Sequence, residues 1–145
     1  MKKALIFALT TAALTLGSFG DGLWFKEVSN RYDYTKYATW LMTQLKINFG
    51  VWPVAPGHSA GCVFTDDGWN SVYWQNAQWE YNAQGAYGTW DEHWTVYITA
   101  SGENGQYMGQ DLVPFNIEFA LYLVDQYGNW YWDNNGGMNY SYFID

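Results

Sequence analysis

The strongest constraint on the fold is a strict two-residue alternation of apolar side chains between Phe115 and Val124. Successive side chains of a β-strand point to opposite faces, so this spacing predicts a strand with one buried face. Pro114 fits the start of this strand, since proline cannot donate a hydrogen bond inside a sheet. A strand buries its apolar face only against a second layer, so the chain must supply partners. The predicted buried face carries Phe115, Ile117, Phe119, Leu121 and Leu123.

Other segments show the same alternation. Thr39 to Asn48 predicts a half-buried strand with Leu45 and Ile47 on its apolar face; a helix also fits this spacing, but the β-branched and aromatic neighbours favour a strand. Ser59 to Thr65 and Glu92 to Thr99 predict further strands, separated by glycine- and aspartate-rich turns. Short, regularly spaced strands of this kind predict an all-β chain, an antiparallel β-sandwich of the immunoglobulin-like type.

The N-terminus reads as a targeting segment. A basic start, an apolar run from Ala4 to Leu16 and small residues around Ser18 and Gly20 are typical of a secretory signal peptide over residues 1–20. A membrane anchor is the alternative, but the run is short for a span. Residues 21–38 are interpreted as a largely extended leader with an edge strand near 31–36, and residues 39–145 as the folded domain. We therefore expect a secreted protein, extracellular or periplasmic.

The net charge and the aromatic content limit the classes of molecule that the protein is expected to bind. The formal charge is −8, and it becomes −10 when Lys2 and Lys3 leave with the signal peptide. So acidic a chain repels nucleic acid and anionic membranes, whereas a neutral polysaccharide is an acceptable partner. Ten tryptophans and an aromatic fraction of 21% exceed the demand of a small core, so some rings are expected at the surface.

The closing stretch from Asn129 to Tyr140 combines indoles, carboxamides and glycines. Trp130 and Trp132 share one face of a strand. Asp133, Asn134 and Asn135 follow as short polar groups beside that face. A flat apolar plate next to amides suits a sugar ring, whose C–H face stacks on an indole while its hydroxyls bond amides.

Three blocks of sequence carry a family resemblance. The run Tyr131-Trp-Asp-Asn-Asn-Gly-Gly-x-Asn-Tyr140 resembles the closing signature of carbohydrate-binding module family 21 and its relatives, which include fungal starch-binding domains and glycogen-targeting subunits of protein phosphatase 1. Val63-Phe-Thr-Asp-Asp-Gly-Trp69 and Glu118-Phe-Ala-Leu-Tyr122 resemble two other blocks of that family, in the same order. Together the blocks cover roughly residues 41 to 143.

The resemblance implies a binding site. By position Trp69 and Trp132 match stacking aromatics of the family, and Asn134 and Asn139 match amides that hold sugar hydroxyls. Gly136 departs from relatives that carry asparagine there. A binding tyrosine on the penultimate strand of some relatives has no match, and the second site of fungal members cannot be placed between Ser71 and Trp90.

Structural roles compete with each of these assignments. Trp130 and Trp132 could both fill a core, and Asp133 and Asn135 could cap a turn; we assign the latter two to structure. Asn139 could anchor the last strand. Trp74, Trp79 and Trp90 stay unassigned, while Trp94 is expected in the core.

The sequence gives little indication of a catalytic site or a metal site. Glycoside hydrolysis needs two carboxylates flanking a bond, yet turns or strand edges explain each of Asp66, Asp67, Asp91, Glu92, Glu118 and Asp133. His58 and His93 lie apart, and the single cysteine, Cys62, sits in an apolar context that predicts burial rather than a reactive thiol. Calcium is conceivable at Asp66–Asp67 or Asp133–Asn135, but turn chemistry accounts for both. We expect neither a cofactor nor a metal.

The sequence therefore predicts a secreted, non-catalytic protein that binds carbohydrate, with an α-glucan such as starch or glycogen favoured. Trp69 and Trp132 would supply the indoles, and Asn134 and Asn139 the amides. The alternative is a β-sandwich whose aromatic surface contacts a partner protein. A small glycoside hydrolase is the remote alternative.

Overall fold

The computed structural model describes residues 21–33, 42–100 and 115–144. These residues form nine β-strands and no helix, so none of the described segments is a helix that could span a membrane. The strands are β1 (Gly22–Asp33), β2 (Met42–Trp52), β3 (Ser59–Thr65), β4 (Tyr73–Asn76), β5 (Gln78–Gln84), β6 (Trp90–Ala100), β7 (Phe115–Val124), β8 (Trp130–Asp133) and β9 (Tyr140–Ile144).

The strands make two antiparallel sheets that pack face to face. The four-stranded sheet has the order β1-β2-β6-β5. The five-stranded sheet has the order β4-β3-β7-β8, with β9 also paired to β7. One edge of β7 is thus shared: β8 pairs with Leu121–Val124 and β9 with Phe115–Phe119. The predicted all-β antiparallel sandwich is confirmed.

The core lies between the inner faces of the two sheets, where the alternation predicts it. Leu45 and Ile47 of β2 are buried, and β2 is a strand rather than a helix. The inner residues of β7 are buried as well: Ile117, Phe119, Leu121 and Leu123. Trp94 and Cys62 join them, and complete burial raises the pKa of the Cys62 thiol far above its usual range.

Residues 22–33, which lie in the segment interpreted as a leader, form β1 and pair with β2 along its length. Two rings fix the strand. The Trp24 indole lies on Gly50 of β2, where a Cβ would approach it to 2.1 Å. Phe25 stacks on Tyr140 of β9 with ring centroids 4.4 Å apart. Because these contacts involve both sheets, β1 is part of the sandwich. It begins at Gly22, ahead of the predicted edge strand at 31–36, and residues 34–36 lie outside the described part of the chain.

Several sequence predictions fall outside the described residues. They are the signal peptide at 1–20, the rest of the leader at 34–38 and the role of Pro114. The domain boundaries stay predictions.

Candidate functional site

The outer face of the five-stranded sheet carries a second apolar cluster. Alternation along β3, β7 and β8 sends one set of side chains into the core and the other set to the outside. The outer set includes rings and aliphatic groups that bury one another. Together with Trp69 they form the outer cluster: Val63, Trp69, Ala120, Tyr122 and Trp132.

Four rings meet at this cluster, and we call Trp74, Tyr122, Trp130 and Trp132 the four-ring cluster. Trp130 stacks on Trp132 at 5.9 Å between centroids and 18° between planes. Tyr122 lies 5.3 Å from Trp130, and Trp74 lies 5.5 Å from Tyr122 and 5.8 Å from Trp132. Offset-stacked and edge-to-face pairs of this kind each contribute about 0.5–1.5 kcal/mol beyond their buried area. The rings therefore fix one another's orientation.

A glycine on the central strand β3 leaves room for the Tyr122 ring. A Cβ on Gly61 would lie 2.4 Å from the backbone oxygen of Gln75 and 2.5 Å from the Tyr122 hydroxyl. Gly61 is opposite Tyr122 across the β3–β7 pair, so the phenol ring lies across the glycine. The Tyr122 hydroxyl then donates to Asn76 Oδ1 at 3.1 Å. Burial raises the pKa of this hydroxyl, which therefore keeps its proton.

Exposure divides the four rings into two layers. Tyr122 and Trp132 are buried, whereas Trp74 is 55% and Trp130 43% exposed. The two exposed indoles have centroids 6.2 Å apart and planes at 87°. They present an angled apolar surface, and each contacts both of the buried rings.

Trp69 ends a tight turn that the Thr65 hydroxyl organises. Thr65 Oγ1 accepts from the Trp69 backbone N–H at 3.0 Å and donates to Asp67 Oδ1 at 2.8 Å. Trp69 has φ 73°, a left-handed conformation that is rare for a bulky residue. Its indole is only 4% exposed, and the buried Nε1 has no hydrogen-bond partner. Strain of this kind is frequent at functional sites, where the surrounding structure imposes it.

The closing loop after β8 is tied together by its own polar groups. Asn134 Oδ1 accepts from the Gly137 N–H at 2.8 Å, and the Asn134 backbone oxygen accepts from the Asn139 N–H at 2.7 Å. Asp133 accepts from the Tyr140 hydroxyl at 2.8 Å. Burial and the Asp133 charge raise the pKa of Tyr140. Asp133 thus holds the loop against β9, in keeping with the structural role assigned to it.

All four residues proposed from the sequence carry a buried polar atom without a partner. Among the described residues six such side-chain atoms occur, and four of them are Trp69 Nε1, Trp132 Nε1, Asn134 Nδ2 and Asn139 Oδ1. An unmet buried donor or acceptor costs about 1–3 kcal/mol. These four atoms are inaccessible to solvent in this conformation, so a ligand reaches them only after neighbouring side chains move. Asn139, like Trp69, has a positive φ, of 60°.

The structure also differs from the expected platform. Trp69 and Trp132 belong to the outer cluster, but both indoles are at most 5% exposed and offer no open stacking face. The exposed rings are Trp74 and Trp130. Alternation placed Trp130 beside Trp132, yet gave no sign that Trp132 would be covered. Trp74 belongs to β4, a strand that the sequence did not delimit, so the side to which its ring points could not be predicted.

A cleft of about 430 Å³ adjoins the closing loop. Exposed Tyr87 lines one side, and Asn135 and Gly136 line another. A Cβ on Gly136 would meet no heavy atom within 4 Å, so this position faces open space. The cleft shares Trp132 with the four-ring cluster.

The carboxylates considered for catalysis are mostly engaged in structural bonds. Asp91 is fully buried and accepts from Trp24 Nε1 at 2.7 Å. Glu92 contacts His58, and Asp67 accepts from Thr65 and from the Ser71 N–H. Hydrogen bonds from Ser71 and Thr65 lower the pKa of Asp67. Within the described residues no group of three or more histidine, cysteine or carboxylate side chains could hold a metal ion.

Comparison with known proteins adds a fold relationship. No protein-family model matches the sequence, and comparison with curated protein sequences finds no match. Among solved structures, the carbohydrate-binding module of the muscle glycogen-targeting subunit of protein phosphatase 1 is similar, with a TM-score of 0.51 and 16% identity over 84% of this chain and 74% of that one. This chain shares the fold of a carbohydrate-binding module.

The starch-binding domain of Rhizopus oryzae glucoamylase is also similar, with a TM-score of 0.49 and 19% identity over 86% of this chain and 94% of that one. At these identities the likeness concerns the fold alone. The function has to be argued from the residues of the outer face.

Proposed function

We propose that this protein is a non-catalytic carbohydrate-binding protein whose site is the outer face of the five-stranded sheet. The observation that carries the proposal is the pair of exposed indoles, Trp74 and Trp130, whose planes meet at 87° and which contact the buried Tyr122 and Trp132. An indole held in place by neighbouring rings loses little freedom when a sugar stacks on it, so more of the stacking energy appears as affinity. The fold shared with a carbohydrate-binding module is consistent with this proposal.

The angle between the indoles supports a curved, neutral ligand. Cellulose and chitin present flat faces that suit rings lying in one plane, whereas planes at 87° match a chain that turns, as an α-1,4-glucan does. A net charge of −8 does not oppose an uncharged glycan. We therefore favour a starch- or glycogen-like α-glucan, bound with modest affinity that depends little on salt.

The four sequence-derived residues keep a role in this proposal. Asn139 lies in the closing loop and contributes its amide group to sugar hydroxyls. Asn134 is only 1% exposed and acts by holding that loop through the Gly137 N–H. Trp132 contacts both exposed indoles, and Trp69 packs in the same outer cluster. Secretion, to the extracellular space or periplasm, belongs to the same proposal and rests on residues 1–20.

Retention on insoluble starch tests the proposal. Trp130→Ala and Trp74→Ala should each weaken retention at least about tenfold, which corresponds to about 1.4 kcal/mol. Trp90→Ala is the matched control, because Trp90 is also an exposed indole but lies on the four-stranded sheet. Equal losses in all three variants, or no retention of the parent protein, would overturn the assignment.

The alternative is a surface for a partner protein, and the exposed apolar rings favour it as well. Light scattering with and without maltooligosaccharide separates the two functions. Self-association that sugar leaves unchanged, combined with no retention on starch, would support the partner-protein function.

A further inference from the structure

A hairpin of the four-stranded sheet reaches the closing loop of the five-stranded sheet. Residues 85–89 join β5 to β6, and near their middle lies Tyr87, whose ring is 78% exposed. Tyr87 and Ala86 line the cleft of about 430 Å³ that Asn135 and Gly136 line from the closing loop. The cleft therefore lies between one loop of each sheet.

Hydrogen bonds hold the base of this hairpin. The Gly85 N–H donates to the Thr89 backbone oxygen at 2.7 Å, and the Gly88 N–H donates to the Gly85 backbone oxygen at 3.2 Å. Thr89 Oγ1 donates to Asp91 Oδ1 at 2.6 Å, and the other oxygen of this buried carboxylate accepts from Trp24 Nε1 at 2.7 Å. Because β1 and β6 both hold its base, the hairpin loses little freedom when a ligand contacts its tip.

The closing loop supplies polar groups on the other side of the cleft. The Asn135 N–H donates to Asp133 Oδ1 at 3.1 Å, and Asn135 Nδ2 donates to the Asn139 backbone oxygen at 3.3 Å. The side-chain amide of Asn135 also has a second N–H and a carbonyl oxygen, which suit the hydroxyls of a ligand. These bonds orient the amide, while the missing Cβ of Gly136 leaves the space beside it open.

Tyr140 brings a further ring to the cleft, close to Tyr87. Burial and the Asp133 carboxylate raise the pKa of Tyr140, and the Tyr87 phenol adds to this rise. An electrostatic effect of this kind requires the two phenol groups to be near one another. Phe25, which also lines the cleft, stacks on Tyr140 at 4.4 Å between ring centroids. The cleft thus combines aromatic rings with one amide.

The charges around the cleft favour a neutral ligand. Among the described side chains that line it, none is cationic, so an anion finds no partner there. Asp133 is the one carboxylate among them, and it already accepts from the Tyr140 hydroxyl at 2.8 Å. A volume of about 430 Å³ lies within the range of about 300–1,000 Å³ usual for small-molecule sites. A neutral ring with an apolar face and a rim of hydroxyls fits these groups.

We infer that Tyr87 is a further binding residue and that the cleft holds a sugar ring of the same neutral glucan. The phenol ring packs against the C–H face of the sugar, and the Asn135 amide bonds its hydroxyls. This inference rests on the function proposed above. Trp132 lines the cleft and contacts both exposed indoles, so the cleft borders the four-ring cluster. Tyr87 lies outside the three blocks of sequence that carry the family resemblance, which therefore does not imply it.

Isothermal titration calorimetry with maltoheptaose tests the role of Tyr87. Tyr87→Ala should weaken binding about threefold to tenfold, the loss expected for one aromatic contact. Tyr87→Phe keeps the ring and should bind within about twofold of the parent protein. Tyr81→Ala is the matched control and should bind as the parent does, because Tyr81 is an exposed tyrosine of β5 that does not line the cleft.

Chemical shifts of the ¹⁵N-labelled protein separate this inference from the proposed function. Maltoheptaose should shift the amide signals of Tyr87, Asn135 and Gly136 together with the indole signals of Trp74 and Trp130. Indole shifts without these amide shifts, or Tyr87→Ala binding as tightly as the parent, would overturn the inference and leave the proposed function intact. A loss in Tyr87→Phe as large as that in Tyr87→Ala would also overturn the role of the ring. No shift of any of these signals would overturn both.

Discussion

His58 makes a prediction about the pH dependence of stability. Its side chain is almost fully buried, with Nδ1 2.5 Å from Glu92 Oε2 and Nε2 2.6 Å from Asp21 Oδ2. Carboxylate oxygens only accept, so the ring satisfies both when both nitrogens are protonated. Burial alone would lower the pKa of His58, but the hydrogen bonds and charges of Glu92 and Asp21 outweigh it and raise the pKa.

The direction of the His58 pKa shift determines the pH range in which the interaction stabilises the protein. Because the pKa of His58 is higher in the folded state than the unfolded value of about 6.5, the stabilisation is complete below that pH. It is lost as the pH rises through the folded value. The contribution of His58 is therefore largest below about pH 6.5.

Asp21→Asn removes one of the two charges. A hydrogen bond to a charged group contributes about 1.5–3 kcal/mol, and the 21% exposure of the Asp21 side chain favours the lower end of this range. The variant should lose about 1.5 kcal/mol at pH 6 and only a few tenths at a pH above the folded pKa of His58. The loss should therefore shrink as the pH rises.

Urea denaturation, followed by tryptophan fluorescence at several pH values between 6 and 9, measures this difference. Glu80→Gln controls for the loss of one negative charge at an exposed position. A loss in Asp21→Asn that is the same at every pH, or as small as in Glu80→Gln, would refute the argument that His58 is the titrating partner.

Three further predictions concern single positions. Gly61→Ala should lose about 1–3 kcal/mol of unfolding free energy, because its Cβ would overlap the Gln75 backbone oxygen and the Tyr122 hydroxyl; urea midpoints measure this. Asp125→Ala should lose about 1–2 kcal/mol at pH 7, since Asp125 accepts from the N–H groups of Tyr127 and Asn129 and from the Tyr131 hydroxyl. Burial alone would raise the pKa of Asp125, but hydrogen bonds, chiefly from Asn129, lower it. The loss of stability in Asp125→Ala should therefore become smaller as the pH drops below about 4. A loss that is the same at every pH would contradict the argument. Gly136→Asn should lose less than about 1 kcal/mol of unfolding free energy, because the position is open and asparagine tolerates its φ of 67°. The variant should also be retained more strongly on starch. A large loss of unfolding free energy would disprove the stability prediction.

Alternation in the sequence suffices to predict which faces form the core. It assigns Leu45, Ile47 and Phe119 correctly, because a two-residue period is a local property of a strand. It could not assign β1, whose apolar residues are irregularly spaced around a bulge and whose pairing depends on Gly50, some 25 residues away. The contact of His58 with Asp21 could not be predicted either, because the two residues are distant in sequence.

The candidate site was only partly predictable for a related reason. The sequence brings Trp130 and Trp132 to the same face, and the structure keeps them there. Trp74 arrives from another strand of the sheet and contacts both indoles, so their exposure cannot be read from their own strand. Burial of a ring on an outer face is decided by neighbours across the sheet, and these follow from the strand order rather than from local spacing.

The most direct test of the carbohydrate-binding claim follows the indole N–H signals of the ¹⁵N-labelled protein during titration with maltoheptaose. Binding on the outer face of the five-stranded sheet predicts saturable shifts of the Trp74 and Trp130 signals, little change at Trp90, and at least about tenfold weaker binding in Trp130→Ala. Shifts confined to Trp90, or none up to millimolar maltoheptaose, would contradict the claim.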